Sequence, residues 1–371
     1  MIFPHRSKIN SLIPKHVYHT PTSMHRTRIA GYDFARGLSL LGMVLVNYKY
    51  MMEADENGPN WLIWLSSLLE GRSAALFVVL LGVGLSLFKK SRKILFIRAL
   101  FLFSIGLLVL RIWTADILHF DAVYIVFGVS LLTVSNRTLW VLNTAVVAFF
   151  ILLIWYYYWI EEWMINDAFE FTLSKPLEII SNVLFNGFYS LFPWVVFVLL
   201  GMWLGRLDLS QSILRKKLAI ISALSIWTAE WSAWFFTSIF QSNSAGIENE
   251  MFVDLFKIAP FPPTLFFLVS SSGSALLTII MSIILTEKWV RPKWTWPILT
   301  AGRMTLTFYV AHLLIAYLFL MLSGRIETEN TLEFASISAV VFCGVALSFS
   351  ACWLRYFAHG PLEFLMRWIS K

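Results

Sequence analysis

Long apolar runs separated by short charged segments are the feature that most constrains what this chain can fold into. A helix needs about 20 apolar residues to cross the hydrocarbon layer of a bilayer, and the runs have about that length or reach it with their flanks. Lipid offers backbone groups no water to bond, so such segments fold as helices. Ten runs cover residues 34–52, 73–88, 94–110, 120–135, 138–160, 183–204, 218–240, 263–286, 297–322 and 334–356.

The composition supports the same class, since 58% of the residues are apolar and only 14% are charged. A water-soluble domain does not need that much apolar surface. We therefore predict an all-α, polytopic membrane protein in which residues 28–371 form one bundle of about ten transmembrane helices. Residues 1–27 are basic and contain no apolar segment of the signal-peptide kind, so they predict a flexible cytoplasmic tail.

The charges between the runs predict the orientation of the bundle. If the N-terminus is cytoplasmic, basic clusters such as 89–93 and 215–217 lie inside, and most acids, such as Glu161 and Glu162, lie outside. Every loop then follows the positive-inside rule, which places both termini in the cytoplasm. The net charge of +7 is explained by this topology, and no nucleic-acid partner is expected.

Polar side chains within or beside the runs are candidate functional residues, because burying them in a membrane is costly. Asn47 lies near the outer end of the first run, Arg72 at the outer start of the second and His312 near the middle of the ninth. Hydrogen bonds between helices could explain Asn47 and His312, and a surface pair with Glu70 could explain Arg72. In the functional interpretation, Asn47 orients a substrate carbonyl and Arg72 holds an anionic group.

The short connection between the third and fourth runs contains Asp116, His119 and Asp121. A carboxylate can fix the tautomer of a histidine and raise its basicity, so either aspartate could prepare His119 as a general base. A solvated turn at the membrane surface is the alternative.

Three arginines lie at cytoplasmic ends of runs: Arg36, Arg98 and Arg303. Long basic side chains often extend toward the membrane surface simply to keep their charge in water. Alternatively, these three could hold the phosphates of a cytosolic donor through charge-assisted hydrogen bonds.

Several short motifs resemble those of one family. They are residues 33–37, 42–47, 116–118, 192–194, 201–206, 302–307 and 360–367. Their order and spacing resemble the YeiB-like family of bacterial membrane proteins. Val46-Asn47-Tyr48, after Arg36-Gly37, is also similar to the heparan-alpha-glucosaminide N-acetyltransferases, which belong with the acyltransferase-3 proteins to a broad group of transmembrane acyltransferases.

This resemblance implies a bundle in the bacterial cytoplasmic (inner) membrane that takes an acyl group from cytosolic acyl-CoA and delivers it to a sugar or other small acceptor outside. Asn47 matches the family's thioester-side asparagine. The catalytic histidine of the acetyltransferases follows that asparagine in the first outer loop, whereas residues 49–58 contain no histidine here. We expect His119, or an acid such as Glu53, to replace it.

Three functions are compatible with these residues. The first is acyl transfer, and it predicts that four side chains face one tunnel: Asn47, Arg72, His119 and His312. The second is transport or export of a small solute, with His312 and Glu230 as proton-linked sites. The third is a scaffold in which polar groups only lock helices together. No spacing suggests a metal or redox cofactor, and none indicates the oligomeric state.

Overall fold

The computed structural model describes residues 29–54, 58–89, 91–160, 180–242, 253, 255–288, 295–325 and 330–371, so the predicted tail lies outside the described residues. The described part consists of α-helices and one π-helical turn, Asn182–Asn186. The helices are α1 (Ala30–Met51), α2 (Asn60–Leu69), α3 (Arg72–Leu87), α4 (Arg92–Val109), α5 (Leu118–Ser130), α6 (Asn136–Ile160), α7 (Leu191–Leu204), α8 (Ser212–Ser242), α9 (Leu265–Lys288), α10 (Thr295–Arg303), α11 (Thr305–Ser323), α12 (Leu332–Tyr356) and α13 (Pro361–Ile369).

The prediction of an all-α, polytopic membrane protein is confirmed. By length and composition, six segments could cross a membrane: Asn60–Leu87, Asn136–Ile154, Ser212–Gln241, Leu265–Lys288, Thr305–Ser323 and Leu332–Tyr356. The first of them comprises α2 and α3. The count of ten spans stays a prediction, because α5 and α7 have only 13 and 14 residues, or about 20 Å of helix against a hydrocarbon layer of about 30 Å.

The helices depart from the predicted runs in two ways. The ninth run is divided at Met304, whose backbone is not helical, into α10 and α11. In addition, α2 and α13 lie outside all ten runs. A hydropathy pattern finds apolar length, but it does not detect a single residue that turns the chain within an apolar stretch.

Helix α1 lies at the centre of the bundle and packs against α3, α9, α10, α11 and α12. Its contact with α10 depends on two glycines. A Cβ on Gly302 would overlap the carbonyl oxygen of Asp33, and one on Gly37 would overlap that of Ile298. Glycine therefore lets the two backbones touch. This contact also brings Arg36, beside Gly37, to the same end of the bundle as Arg303, beside Gly302.

Peripheral helices expose apolar faces, as lipid-facing helices do. Only 17% of the spanning window in α6 and 22% of those in α8 and α12 are buried within the protein. Exposed side chains there include Val141, Trp227 and Val340. Inside, α3 packs closely on α7, where Gly82 approaches Gly201. The interior therefore contains α1, α3, α5 and α7, which surround the polar residues described next.

Candidate active site

A cavity of about 330 Å³ lies among α1, α3, α4, α5, α10, α11 and α13. Its lining contains charged, apolar and polar side chains. Phe77, Leu81 and Leu306 are among the apolar ones. Asp121 and Tyr309, which are 2% and 1% exposed, lie at the deep end. At the shallow end are four arginines: Arg36, Arg98, Arg303 and Arg367.

The Asp116–His119 pair is fully enclosed beside this deep end. Asp116 is 0% exposed and His119 is 2% exposed, so the alternative of a solvated surface turn is wrong. His119 Nδ1 lies 2.9 Å from Asp116 Oδ2, and the backbone N–H of His119 donates to the same oxygen over 3.2 Å. Nδ1 therefore carries the proton that the carboxylate accepts, and Nε2, which has no partner among the described residues, is left as the basic nitrogen.

Tyr309 supports the other oxygen of Asp116. Its hydroxyl donates to Asp116 Oδ1 over 3.2 Å and accepts the backbone N–H of Ile117 over 3.0 Å. The carboxylate thus accepts bonds from a hydroxyl, a ring N–H and a backbone N–H, which hold it in one orientation. The sequence left open whether Asp116 or Asp121 orients His119, and the structure assigns this contact to Asp116.

Asn47 and His312 form a second buried pair. Asn47 Nδ2 lies 3.0 Å from His312 Nε2, and His312 Nδ1 lies 3.2 Å from the carbonyl oxygen of Phe308. With Asn47 as donor to Nε2, the ring proton lies on Nδ1 and is donated to Phe308. His312 also packs edge to face with Tyr309, with 5.2 Å between ring centroids. Tyr309 therefore connects the Asn47–His312 pair to the Asp116–His119 pair.

Gly106 is the residue of α4 that lies against the segment containing Asp116 and His119. A Cβ at this position would lie 2.5 Å from the backbone nitrogen of His119 and 2.8 Å from Asp116 Oδ2. The first turn of α5 therefore rests directly on the backbone of α4. Without glycine at 106, either the helix pair would separate or the Asp116 carboxylate would move.

Arg72 lies outside this cluster. Its guanidinium forms an ion pair with Glu230, donates to Ser270 Oγ over 3.2 Å and donates to the carbonyl of Leu68. None of Asn47, Arg72, His119 and His312 lines the 330 Å³ cavity. Three of the four converge behind Tyr309, which itself lines the cavity, and a single tunnel past all four stays a prediction.

Sequence reasoning missed Tyr309, Arg367 and the position of Asp121 in the cavity wall. A signal for Tyr309 was present, because it precedes His312 by three residues and so shares a helix face with it. Arg367 lies in the short helix α13, which no apolar run indicated. Asp121 follows His119 by two residues, a spacing that directs the two side chains to different sides of α5.

Two family models match the chain. One, described as heparan-alpha-glucosaminide N-acetyltransferase, catalytic, matches residues 28–241. The other, described as a protein of unknown function (DUF418), matches residues 201–371. The first matched region includes Asn47, Asp116 and His119, and the second includes Tyr309 and His312. The buried cluster therefore contains residues from both matched regions. A search of curated proteins finds no match.

Proposed function

The chain belongs to the heparan-alpha-glucosaminide N-acetyltransferase catalytic family, and on that premise we propose that it transfers an acyl group from cytosolic acyl-CoA to an acceptor across the membrane. The acceptor is a sugar or another small molecule with a hydroxyl or amine. One observation carries the proposal: a cavity with arginines at its shallow end stops beside a buried histidine–aspartate pair.

The donor's phosphates bind at the shallow end. The lining carries four arginines and two acidic residues, Glu363 and Asp121, and one of the arginines, Arg36, also forms an ion pair with Asp33. Guanidinium groups suit this role because they bond phosphate oxygens in pairs. The apolar part of the lining suits the pantetheine arm, and 330 Å³ is near the lower limit for ligand cavities, so the nucleotide would remain at the rim.

His119 acts as the general base in this proposal. The acceptor's hydroxyl or amine gives its proton to Nε2 while its oxygen or nitrogen bonds the thioester carbonyl carbon. The carbon–sulfur bond then breaks, and CoA leaves as a thiol with that proton. Asp116 holds the required tautomer, and Tyr309 holds Asp116. General-base catalysis of this kind contributes about 10²–10⁴ in rate.

Asn47 and His312 act as a unit. Asn47, the family's thioester-side asparagine by resemblance, would donate its second amide N–H to the thioester carbonyl once the acyl group passes Tyr309, while His312 fixes the orientation of the amide. Arg72 takes a structural role instead of the anion-binding role expected from the sequence, because its ion pair with Glu230 joins α3 to α8.

The topology forms part of the same proposal. The arginine end of the cavity contains Arg36, Arg98 and Arg303, all on the side that the charge pattern assigns to the cytoplasm. Ten spans with both termini cytoplasmic would present this end to acyl-CoA. The bacterial cytoplasmic membrane, implied by the YeiB-like resemblance, is the proposed location.

Donor binding tests the proposal directly. Protein purified in detergent should show a higher melting temperature with CoA or acetyl-CoA. Arg303→Ala and Arg98→Ala should each weaken CoA binding by about tenfold or more, as expected for a lost charge-assisted bond. Arg137→Ala is the matched control, because Arg137 is exposed at the start of α6 and does not line the cavity.

The result that would overturn the proposal is absence of stabilisation by any acyl-CoA, or equal weakening by all three substitutions. Proton-dependent solute flux in vesicles, combined with no CoA binding, would favour the transporter. No such path is evident among the described residues, where Glu230 pairs with Arg72 and His312 pairs with Asn47.

A further inference from the structure

We propose that Asp121 binds an amide N–H of the donor's pantetheine arm and so sets how deeply the acyl group enters the cavity. This rests on the proposed function. It assigns a ligand contact to a residue that the transfer step itself does not use.

The carboxyl group of Asp121 is buried, and one of its oxygens has no hydrogen-bond partner among the described residues. Its side chain lines the deep end of the cavity and is 2% exposed, and Oδ1 has no partner among the described residues. The large majority of buried polar side-chain atoms in proteins are hydrogen-bonded, because an unpaired one loses its bond to water without replacement. An unpaired carboxyl in a cavity wall therefore indicates a ligand that supplies the missing donor.

The neighbouring donors are already engaged. The hydroxyl of Tyr309, the polar group beside Asp121 in the cavity wall, donates to Asp116. The imidazole N–H of His119 also points to Asp116. Neither of these two donors is therefore left to bond Asp121. The complementary group is then an N–H donor on the ligand.

The positions of two residues along α4 indicate how far the arginines lie from the first turn of α5. Arg98 and Gly106 both lie on α4, eight residues apart, and Gly106 contacts the backbone of His119. Eight residues of helix correspond to about 12 Å. A phosphate near Arg98 would therefore place the amide-bearing part of a pantetheine arm near the level of Asp121.

Two probes separate the two ends of the donor: CoA, which has the pantetheine arm, and adenosine 3′,5′-bisphosphate, which lacks it. Asp121→Leu should weaken CoA binding by about tenfold or more, because it leaves a buried amide N–H of the ligand without its partner. It should leave the affinity for the bisphosphate unchanged. Asp121→Asn keeps an amide oxygen as acceptor and should retain most of the CoA affinity.

The ligand-free melting temperature tests the alternative of a purely structural Asp121. Replacing an unpaired buried carboxyl by leucine is expected to leave that temperature unchanged or to raise it, whereas a structural role predicts a fall. Ile125→Leu, one turn further along α5 in the same wall, is the control for altered packing.

The outcomes distinguish this inference from the proposed function. If the native protein binds CoA and Asp121→Leu binds it equally well, or if both probes weaken together, the inference is overturned and acyl transfer is not. If Asp121→Leu does not fold, Asp121→Asn replaces it in the test. A loss of CoA affinity in Asp121→Asn as large as that in Arg303→Ala would contradict the inference about Asp121. If the native protein binds neither probe, both proposals fail.

Discussion

Individual residues at the centre of the bundle are held by partners far away in the chain. His119 is oriented by Asp116, which is in turn held by Tyr309, 193 residues further along. Such chains of bonds act as units, because each group fixes the geometry of the next. Removing one member should therefore also disturb the groups that it holds.

We expect His119→Ala to lower the rate of acyl transfer by about 10²–10⁴ while changing CoA affinity less than twofold, because the base is lost but the arginines remain. Transfer in proteoliposomes and CoA affinity in detergent measure the two effects. Asp116→Asn should behave in the same way, since it favours the wrong tautomer of His119. A wild-type rate in either variant would exclude this base.

Tyr309→Phe removes a hydroxyl that both donates to Asp116 and accepts from Ile117. It leaves a buried N–H and a carboxylate oxygen without this partner, so the free energy of unfolding should fall by about 1–3 kcal/mol. Thermal unfolding in detergent is the measurement. Tyr317→Phe, on the same helix and 38% exposed, should cause no comparable change and serves as the matched control.

At the scale of helices, glycines determine how closely the backbones approach. Gly302 and Gly37 allow α1 to touch α10, and Gly106 allows α5 to rest on α4. Helix α13 is fixed differently: Glu363 accepts bonds from the backbone N–H and the hydroxyl of Thr307, at the start of α11. These contacts bring the walls of the cavity together, so disturbing one of them should alter ligand binding at a distance.

Gly302→Ala should lower the melting temperature and weaken CoA binding, because the added Cβ overlaps the carbonyl of Asp33 and separates Arg303 from Arg36. Gly344→Ala is the control, since a Cβ there meets no atom within 4 Å. That variant should be neutral or slightly stabilising, because alanine favours a helix by about 1 kcal/mol over glycine. Equal effects of the two substitutions would contradict the proposed role of the α1–α10 contact.

For the whole molecule, the charge pattern predicts which ends of the helices face the cytoplasm. Single cysteines introduced at the exposed Asn60 and Ser210, with Cys343 and Cys352 replaced by alanine, should respond differently to a membrane-impermeant maleimide. In intact cells, Asn60→Cys should react and Ser210→Cys should not, whereas both should react after permeabilisation. Labelling of Ser210→Cys in intact cells would invert the topology and remove the cytosolic access that the donor needs.

Much of the candidate site was foreseeable, but its connections were not. Asn47, Asp116, His119 and His312 attract attention in the sequence because each is a polar group in or beside an apolar run. That Asn47 bonds His312, 265 residues away, depends on how α1 and α11 are rotated toward each other. The ion pair of Arg72 with Glu230 was not predicted, because hydropathy does not show which face of the helix containing Glu230 is turned toward Arg72.

The sequence by itself determined the helical membrane class, and its charge pattern predicts the orientation, because insertion into lipid depends on the apolar length of each segment and on its flanking charges. These quantities are local and add along the chain. Only the tertiary structure decided which polar groups meet and that the ninth apolar run divides at Met304. It also decided that Asp121 and Tyr309 line the cavity. Those outcomes depend on helix rotation and close approach, which are set by packing between distant small residues such as Gly37 and Gly302.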